Sequence, residues 1–397
     1  MYENVMVALD NSEGSQRALA AALGLARVCG ARLTGAHVYA ASLHYERFRH
    51  LEPSLPAPYQ SEEKLAYQRE VHDDLIGRGL RIISDSYLDV FERACRGAQV
   101  PFERKALEGR HYERIVEDAR ATVYDLVVVG AHGLGRTERS GLGSVCERVL
   151  RLAGCDVLVV REPDPPGAGP VAVAADGSAH AFAALDLASA LARAAGGEVT
   201  ALAAYDPYFH GVAFKSLSGV LSDEAAQLFR FREQERLHDE IIDQGLLDVY
   251  RSHLESARRR AERAGAGLRT EVLEGKPVDA VAAWLERSRP SLLVVGRHGI
   301  HRGAGVTLGS TAENLVRIAP CNVLVSARGA VAEPVAEPVA KGPAELRWSP
   351  EAEARLKRVP GFVRGMARRR IEGFARERGA GEISLELYEQ ARGHFGM

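Results

Sequence analysis

The chain has 397 residues, of which 46% are hydrophobic and 26% charged, and its formal net charge is −2 at pH 7. This is the composition of an ordinary globular protein, and the near-neutral charge excludes a global attraction to nucleic acid or lipid. The five cysteines are odd in number and form no CxxC pair, which argues against both a disulfide framework and a zinc ribbon.

The first predicted elements alternate between strand and helix. An apolar strand at Val5–Leu9 ends on the polar turn Asp10-Asn11-Ser12, and a helical pattern over 15–29 follows, closed by Gly30. Further strands are predicted at 32–39, 125–129 and 156–160, and a helix at 144–152. An insert at about 41–100 is expected to begin irregular, with a loop at 53–58, and then to become helical.

The same organisation returns 166 residues later. Its most specific part is Gly130-Ala131-His132-Gly133, nine residues and Gly143-Ser144, which recurs as Gly296-Arg297-His298-Gly299, nine residues and Gly309-Ser310. The second copy predicts strands at 171–175, 198–205, 291–295 and 322–326, helices at 181–195 and 310–318, and an insert at about 207–266. The repeat therefore indicates two α/β domains, 1–163 and 169–327, each with a parallel sheet.

The rest of the chain differs from the repeat. Residues 328–345 contain the low-complexity run AEPVAEPVA and are predicted to be a linker, followed by a small, basic, all-α module at 346–392. Ser349-Pro350-Glu351 is a typical helix start, and Ser384 is a candidate cap for a later helix. The module is amphipathic, which suits docking on an acidic protein surface. Nucleic-acid binding is the weaker interpretation, because the basic stretch lacks interleaved aromatic residues.

The repeated signature has the composition of a phosphate-binding loop. Ligands of parallel α/β sheets bind beyond the carboxyl ends of the strands, where glycines let the backbone approach a phosphate and a helix start offers free N–H groups. The alternative is that the glycines merely form turns. The predicted phosphate-binding residues are Gly130, Gly133, Gly143, Ser144, Gly296, Gly299, Gly309 and Ser310. Further candidate phosphate contacts are His132, Arg136, His298 and Arg302. Asp10 and Asp176 are candidates for Mg²⁺ or sugar hydroxyls.

Both copies match the pattern G-x2-G-x9-G-[ST], and residues 7–12 and 173–178 match V-A-x-D-x-S. On these residues the chain resembles a tandem universal stress protein of the ATP-binding kind. The resemblance implies two tandem five-stranded parallel sheets of the adenine nucleotide alpha hydrolase-like fold, with strand order 3-2-1-4-5. It also implies a bound adenine nucleotide (ATP, ADP or AMP), with adenine near Asp10 and Val38 and phosphates on Gly133, Gly143 and Ser144.

The resemblance extends to assembly and to the tail. Family members often dimerise through their last strand, so the two units are expected to form that dimer within one chain; pairing of two chains is left open. The tail resembles the C-terminal helical module of the B subunit of dark-operative protochlorophyllide reductase, through Trp348-Ser349-Pro350-Glu351-Ala352, Val359-Pro360 and Ile371-Glu372. This implies association with a partner rather than reduction chemistry.

The resulting hypothesis is a nucleotide-responsive stress or regulatory protein that docks unidentified protein partners through its inserts and tail. A cytoplasmic protein without a membrane partner is expected, because the start MYENVMVALD does not have the pattern of a signal peptide and no apolar run reaches membrane-spanning length. The alternatives are a slow ATPase or autophosphorylating enzyme, although GxxxxGK[ST] does not occur, and a scaffold with vestigial nucleotide sites.

Two smaller predictions concern the helices that follow the signatures. The i,i+4 pairs Glu147/Arg151 and Glu313/Arg317 are expected to be surface ion pairs within their own helices. Cys146 lies just inside the first of these helices and is a candidate for a lowered thiol pKa.

Overall fold

Strands and helices alternate through the first part of the computed structural model. The structure describes residues 1–135, 141–206, 233, 243–300, 306–329, 347–357, 359, 364, 367–368, 371–372, 374–375, 378 and 380–395. The first elements are β1 (Asn4–Leu9), α1 (Glu13–Cys29), β2 (Arg32–Tyr39), α2 (Ala41–Leu51), α3 (Glu62–Ala98), β3 (Phe102–Glu108), α4 (His111–Ala121), β4 (Leu126–Gly130), α5 (Ser144–Leu152) and β5 (Asp156–Val160). Gly30 ends α1 in the left-handed conformation (φ 71°), as its position predicts.

The second half repeats this order. Its described elements are β6 (Val171–Ala174), α6 (Ala179–Ala195), β7 (Val199–Tyr205), α7 (Asp243–Arg263), β8 (Leu268–Glu274), α8 (Pro277–Ser288), β9 (Leu292–Gly296), α9 (Ser310–Ile318) and β10 (Asn322–Ser326). Most of the predicted second insert, 207–232 and 234–242, lies outside the described residues. None of the described helices is both long enough and apolar enough to cross a lipid bilayer.

Ten strands form one sheet in the order β3-β2-β1-β4-β5-β10-β9-β6-β7-β8. Within each half all neighbours are parallel and the order is 3-2-1-4-5, which confirms the predicted fold class. The strands at the centre, β5 and β10, are buried along their whole length, which explains why their three inner residues are all apolar. Helices cover both faces, and one apolar cluster lies on each side of the sheet.

The two halves meet where β5 and β10 pair antiparallel. The first residue of each strand also holds the chain that leaves the other strand. Asn322 Oδ1 accepts the N–H of Arg161 (2.7 Å), and Asp156 Oδ1 accepts the N–H of Ala327 (2.7 Å). Pairing of the two units through their last strands is therefore present within this chain.

A four-residue charge cluster lies across the same junction. Arg151 of α5 contacts Glu313 of α9 (2.5 Å), and Arg317 of α9 contacts Glu147 of α5 (2.5 Å). The pairs within each helix are longer, at 3.5 Å for Glu147–Arg151 and 3.1 Å for Glu313–Arg317. The predicted intrahelical pairs are therefore present, and the sheet junction brings the two helices side by side and offers each arginine a second, nearer carboxylate.

The first insert is more regular than predicted. Helix α2 begins directly after β2, and two short 3₁₀ turns, Glu52–Ser54 and Ala57–Tyr59, replace the expected loop. Glu52 and Arg69 of α3 form a two-point pair, with Oε1–Nε at 2.7 Å and Oε2–Nη2 at 2.6 Å. This pair fixes the proline-containing turn against α3 and lowers the pKa of Glu52.

Residues Ala336–Met397 form a second compact unit. It contains α10 (Pro350–Lys357) and α11 (Leu385–Phe395), and Ser349 and Ser384 accept N–H bonds at the two helix starts, as predicted. A two-residue parallel pair, β11 (Arg347–Trp348) and β12 (Glu382–Ile383), accompanies the helices. Among the described residues of this module, the buried core comprises Ala352, Leu356, Ala367, Ile371, Phe374, Ala375, Ile383, Tyr388 and Ala391.

Candidate functional site

An acidic turn follows the first strand of each half. Asp10 Oδ1 accepts the N–H (3.0 Å) and the hydroxyl (2.5 Å) of Ser12, which is the N-cap of α1. Asp176 Oδ1 accepts the N–H of Ser178 (3.0 Å), which is the N-cap of α6. Because each serine oxygen also accepts an N–H of the first helical turn, the starts of α1 and α6 are capped from within the chain.

The second oxygen of each carboxylate holds the signature loop. Asp10 Oδ2 accepts the N–H of Leu134 (3.1 Å), and Asp176 Oδ2 accepts the N–H of Ile300 (2.9 Å). Each aspartate therefore joins the turn after the first strand of its half to the loop after the fourth. A carboxylate oxygen can accept two bonds, so both groups keep capacity for a ligand hydroxyl or a cation.

Two of the signature glycines are required by these carboxylates. A Cβ added at Gly133 would overlap Asp10 Oδ2, and one added at Gly299 would lie 2.6 Å from Asp176 Oδ2. A side chain at either position would push the loop off its aspartate. Glycine at these two positions therefore allows the loop to lie against its aspartate, and it would also allow a phosphate to approach the backbone.

The glycines that end the fourth strands have a different neighbour. A Cβ at Gly130 would lie 2.6 Å from the backbone of Gly14, and one at Gly296 would lie 2.8 Å from the backbone of His180. Both contacts are with the start of the helix that follows the first strand. These two glycines therefore permit close packing of strand and helix.

The last glycine of each signature closes the loop. Gly143 and Gly309 donate their N–H to the carbonyl of the second signature residue, at 2.7 and 2.8 Å. Helices α5 and α9 then begin at Ser144 and Ser310, and no side chain of the described residues caps either of them. Unlike α1 and α6, these two helix starts present uncapped N–H groups and a positive dipole end, which suits an anion.

Two cavities bring the predicted residues together. The first, of about 340 Å³, is lined by Asp10, Val38, Gly130, His132, Gly133, Gly143 and Ser144 among others. The second, of about 480 Å³, is lined by Asp176, Gly296, His298, Gly299, Gly309 and Ser310 among others. Volumes of this size accommodate small organic ligands. The other two predicted phosphate contacts, Arg136 and Arg302, lie outside the described residues.

The first cavity also contains two histidines that the sequence analysis missed. His37 and His111 both line it. His37 Nδ1 lies 2.8 Å from Ser84 Oγ, and because that hydroxyl donates to the Leu80 carbonyl (2.9 Å), His37 Nδ1 is the donor of the pair. The pKa of His37 is lowered by burial and by His111, while Asp10 acts in the opposite direction. The only sequence signal was the adjacency of His37 to Val38.

The second cavity contains Tyr250 and Pro277, which were also missed. Tyr250 belongs to α7, in the part of the second insert for which the sequence predicted only a helix. Behind it lies His253, whose pKa is lowered by burial and whose Nδ1 is buried without a hydrogen-bond partner among the described residues. No motif distinguishes either residue from an ordinary helix-packing position.

The expectation for Cys146 was wrong. Cys146 is one of the residues that line the first cavity, but its thiol is buried, and burial raises its pKa to about 12. The nearby Arg161 charge favours the thiolate, but the burial outweighs it, so the position at the helix start does not lower the thiol pKa. Within the described residues, no group of three or more His, Cys, Asp or Glu side chains is arranged to bind a metal ion.

Comparison with known families separates the chain into two parts. The universal stress protein family matches residues 1–161 and 168–327. The family described as Proto-chlorophyllide reductase 57 kD subunit matches residues 348–392. These two matches confirm both resemblances that the sequence motifs indicated.

Individual relatives show the same division. A universal stress protein from Archaeoglobus fulgidus covers 82% of this chain and 98% of its own, with 18% identity and a TM-score of 0.54. A universal stress protein family member from Arabidopsis thaliana, described with AMP bound, covers 40% of this chain and 92% of its own, with 21% identity and a TM-score of 0.26. A light-independent protochlorophyllide reductase subunit of Halorhodospira halophila is 56% identical over 52 residues, or 13% of this chain. The chain spans only about a tenth of the length of that reductase subunit.

Proposed function

Since the chain belongs to the universal stress protein family, we propose that it is a regulatory protein that binds one adenine nucleotide in each of its two cavities. The observation that carries the proposal is the uncapped helix start in each cavity, next to a glycine loop held by an aspartate. This arrangement occurs twice, and it leaves N–H donors and a positive dipole where phosphate oxygens would bind.

In this proposal the two ends of the nucleotide meet different chemistry. The phosphates bind the N–H groups and hydroxyl at the start of α5 (Gly143, Ser144) or α9 (Gly309, Ser310). The adenine lies towards the end of β2 or β7, near Val38 in the first cavity. Asp10 and Asp176 retain acceptor capacity for a sugar hydroxyl or for the Mg²⁺ that accompanies a triphosphate.

Regulation requires that nucleotide occupancy changes the affinity of the protein for a second ligand. The basic module, matched over 348–392 to a reductase subunit, supports the proposal that this second ligand is a protein partner. The inserts are a second candidate docking surface. The proposed compartment is the cytoplasm.

The direct test is to denature freshly purified protein and quantify the released nucleotide. We expect two adenine nucleotides per chain. The variants Ser144→Ala and Ser310→Ala should each lower affinity at one site by about tenfold, because each removes one hydrogen bond to a charged phosphate. If nothing is released and no ATP binds in a titration with Mg²⁺, the proposed function is wrong.

A further inference from the structure

The two cavities differ at the ends of the first two strands of each half. At the ends of the first two strands, the first half has Leu9, His37 and Val38, whereas the second has Ala175, Ala203 and Ala204 at the same positions of the repeat. These three residues are smaller in the second half, whereas Ala36 of the first cavity corresponds to the larger Leu202 of the second. The second cavity is the larger, about 480 Å³ against about 340 Å³, and it is lined by further residues at the signature helix as well.

An aromatic side chain lines the second cavity near these strand ends. Tyr250 lines the cavity, and its counterpart in the repeat is Ser84. Ser84 is fully buried, bonded to His37, and does not line the first cavity. The tyrosine therefore reaches the ligand space from a helix position that is purely internal in the first half.

Two other rings hold Tyr250 in place. Tyr205 lies 6.2 Å away, centroid to centroid, with its plane tilted by 34°, and His253 lies 5.7 Å away in an edge arrangement. His253 in turn packs on Gly177, the residue after Asp176, where an added Cβ would lie 2.6 Å from His253 Nε2. Packing of this kind fixes the ring before any ligand binds, which lowers the entropy cost of binding.

The position of Tyr250 indicates which part of a nucleotide it meets. Its helix, α7, packs on β7 and β8, whereas Ser310 begins the helix that follows β9. In the sheet β6 lies between β9 and β7, so the strand beside Tyr250 and the strand that precedes Ser310 are two strand spacings apart, about 10 Å along the sheet. With phosphate at the helix start, the group that reaches Tyr250 is the base.

We propose that Tyr250 contacts the purine ring of the nucleotide in the second cavity and makes that site depend on the base more than the first site does. The inference rests on the proposed function and deepens it. The ligand class that follows is a purine nucleoside or nucleoside monophosphate, for which the second site retains affinity when the phosphate chain is shortened.

The test compares adenosine, ATP and inorganic pyrophosphate by calorimetry on the full chain, in wild type, Tyr250→Ala and Tyr250→Phe. Loss of a ring–base contact should weaken adenosine and ATP at one site by about tenfold in Tyr250→Ala. Tyr250→Phe keeps the ring and should stay within about twofold of wild type. Pyrophosphate, which has no base, should bind all three proteins equally.

A matched control is Tyr87→Ala. Tyr87 lies on the equivalent helix of the first half and contacts His37, which lines the first cavity, but Tyr87 does not line the second cavity, so its loss should leave adenosine and ATP binding at the second site unchanged. The inference is overturned if Tyr250→Ala binds adenosine like wild type, or if pyrophosphate weakens in parallel, which would reveal a structural role. A wild-type chain that binds no nucleotide would instead overturn the proposed function itself.

Discussion

The two candidate sites keep the same loop but different walls. Each has an aspartate that anchors the signature, and each places a histidine next to a tyrosine behind that aspartate. In the first site the ring pair is His37 with Tyr87, 4.9 Å apart, and in the second it is His253 with Tyr250, 5.7 Å apart. The histidine comes from strand β2 in one case and from helix α7 in the other.

This difference shows which parts of the site are fixed by backbone geometry. Four of the signature glycines, Gly130, Gly133, Gly296 and Gly299, would place an added Cβ less than 3.0 Å from a neighbouring atom, so a side chain there requires the backbone or the aspartate to shift. The ring pair is determined only by the need to fill the space between helix and sheet, which several arrangements satisfy. The second arrangement brings a tyrosine into the cavity and the first does not.

The largest expected effect comes from breaking what the two sites share. Gly133→Ala and Gly299→Ala each add a methyl group against an anchoring aspartate. Each should weaken nucleotide binding at its own site by roughly 3 kcal/mol or less, the usual cost of forced overpacking, and leave the other site intact. The measurement is nucleotide released per chain, with Gly154→Ala as control because its Cβ would meet open space. Loss of both nucleotides from either variant would show that the sites are not independent.

A smaller effect should separate the two acidic turns. Gly177 has φ 81° and lies against His253, whereas Asn11, its counterpart, has φ 59° and a side chain exposed to solvent. Gly177→Ala should lower the free energy of unfolding by about 2 kcal/mol, from backbone strain and from contact with the imidazole. Asn11→Gly should change it by about 0.5 kcal/mol or less. Denaturant unfolding of both variants measures the two changes in the free energy of unfolding. Equal changes would contradict the predicted difference between the two acidic turns.

The smallest effect is the pH dependence of the two ring pairs. Burial lowers the pKa of both His37 and His253, so the unfolded chain binds these protons more readily than the folded one. Their contribution to stability is present above about pH 6.5 and is lost as pH falls through the folded-state pKa. His37→Gln or His253→Gln should therefore each reduce the loss of stability between pH 7.5 and 5.5 by about 1 kcal/mol. Denaturant unfolding midpoints across this pH range measure the pH dependence of stability. If the variants show the same pH dependence as wild type, the fold does not keep either imidazole neutral.

Much of this architecture could be predicted from the sequence. Buried parallel strands and capped helices leave local signals, and the elements Ser144–Leu152, Asp156–Val160, Ser310–Ile318 and Asn322–Ser326 have the predicted bounds. The anchoring role of Asp10 was not predicted, because its partner Leu134 is 124 residues away. The same limit applies to Arg151, whose nearer carboxylate belongs to the other half of the chain.

The lining of the cavities was the hardest part to predict. Tyr250 lies on a helix that has no distinguishing motif. Its side chain packs with the small residues Ala201 and Ala203 of β7. The start of the first insert was predicted to be irregular, yet α2 forms there with no buried residue, because its pairing with α3 stabilises it. Both cases depend on tertiary contacts that leave no periodic trace in the sequence.

The antiparallel pairing of β5 with β10 has a consequence for how the two sites can differ. A dimer of identical chains related by a twofold axis must present two identical sites, and it separates on dilution. In a single chain the two halves remain together at any concentration, and each can acquire its own substitutions. Covalent fusion thus removes the symmetry constraint. The two candidate sites can differ, and here only the second has a tyrosine in its wall, whereas a symmetric dimer would carry two identical sites.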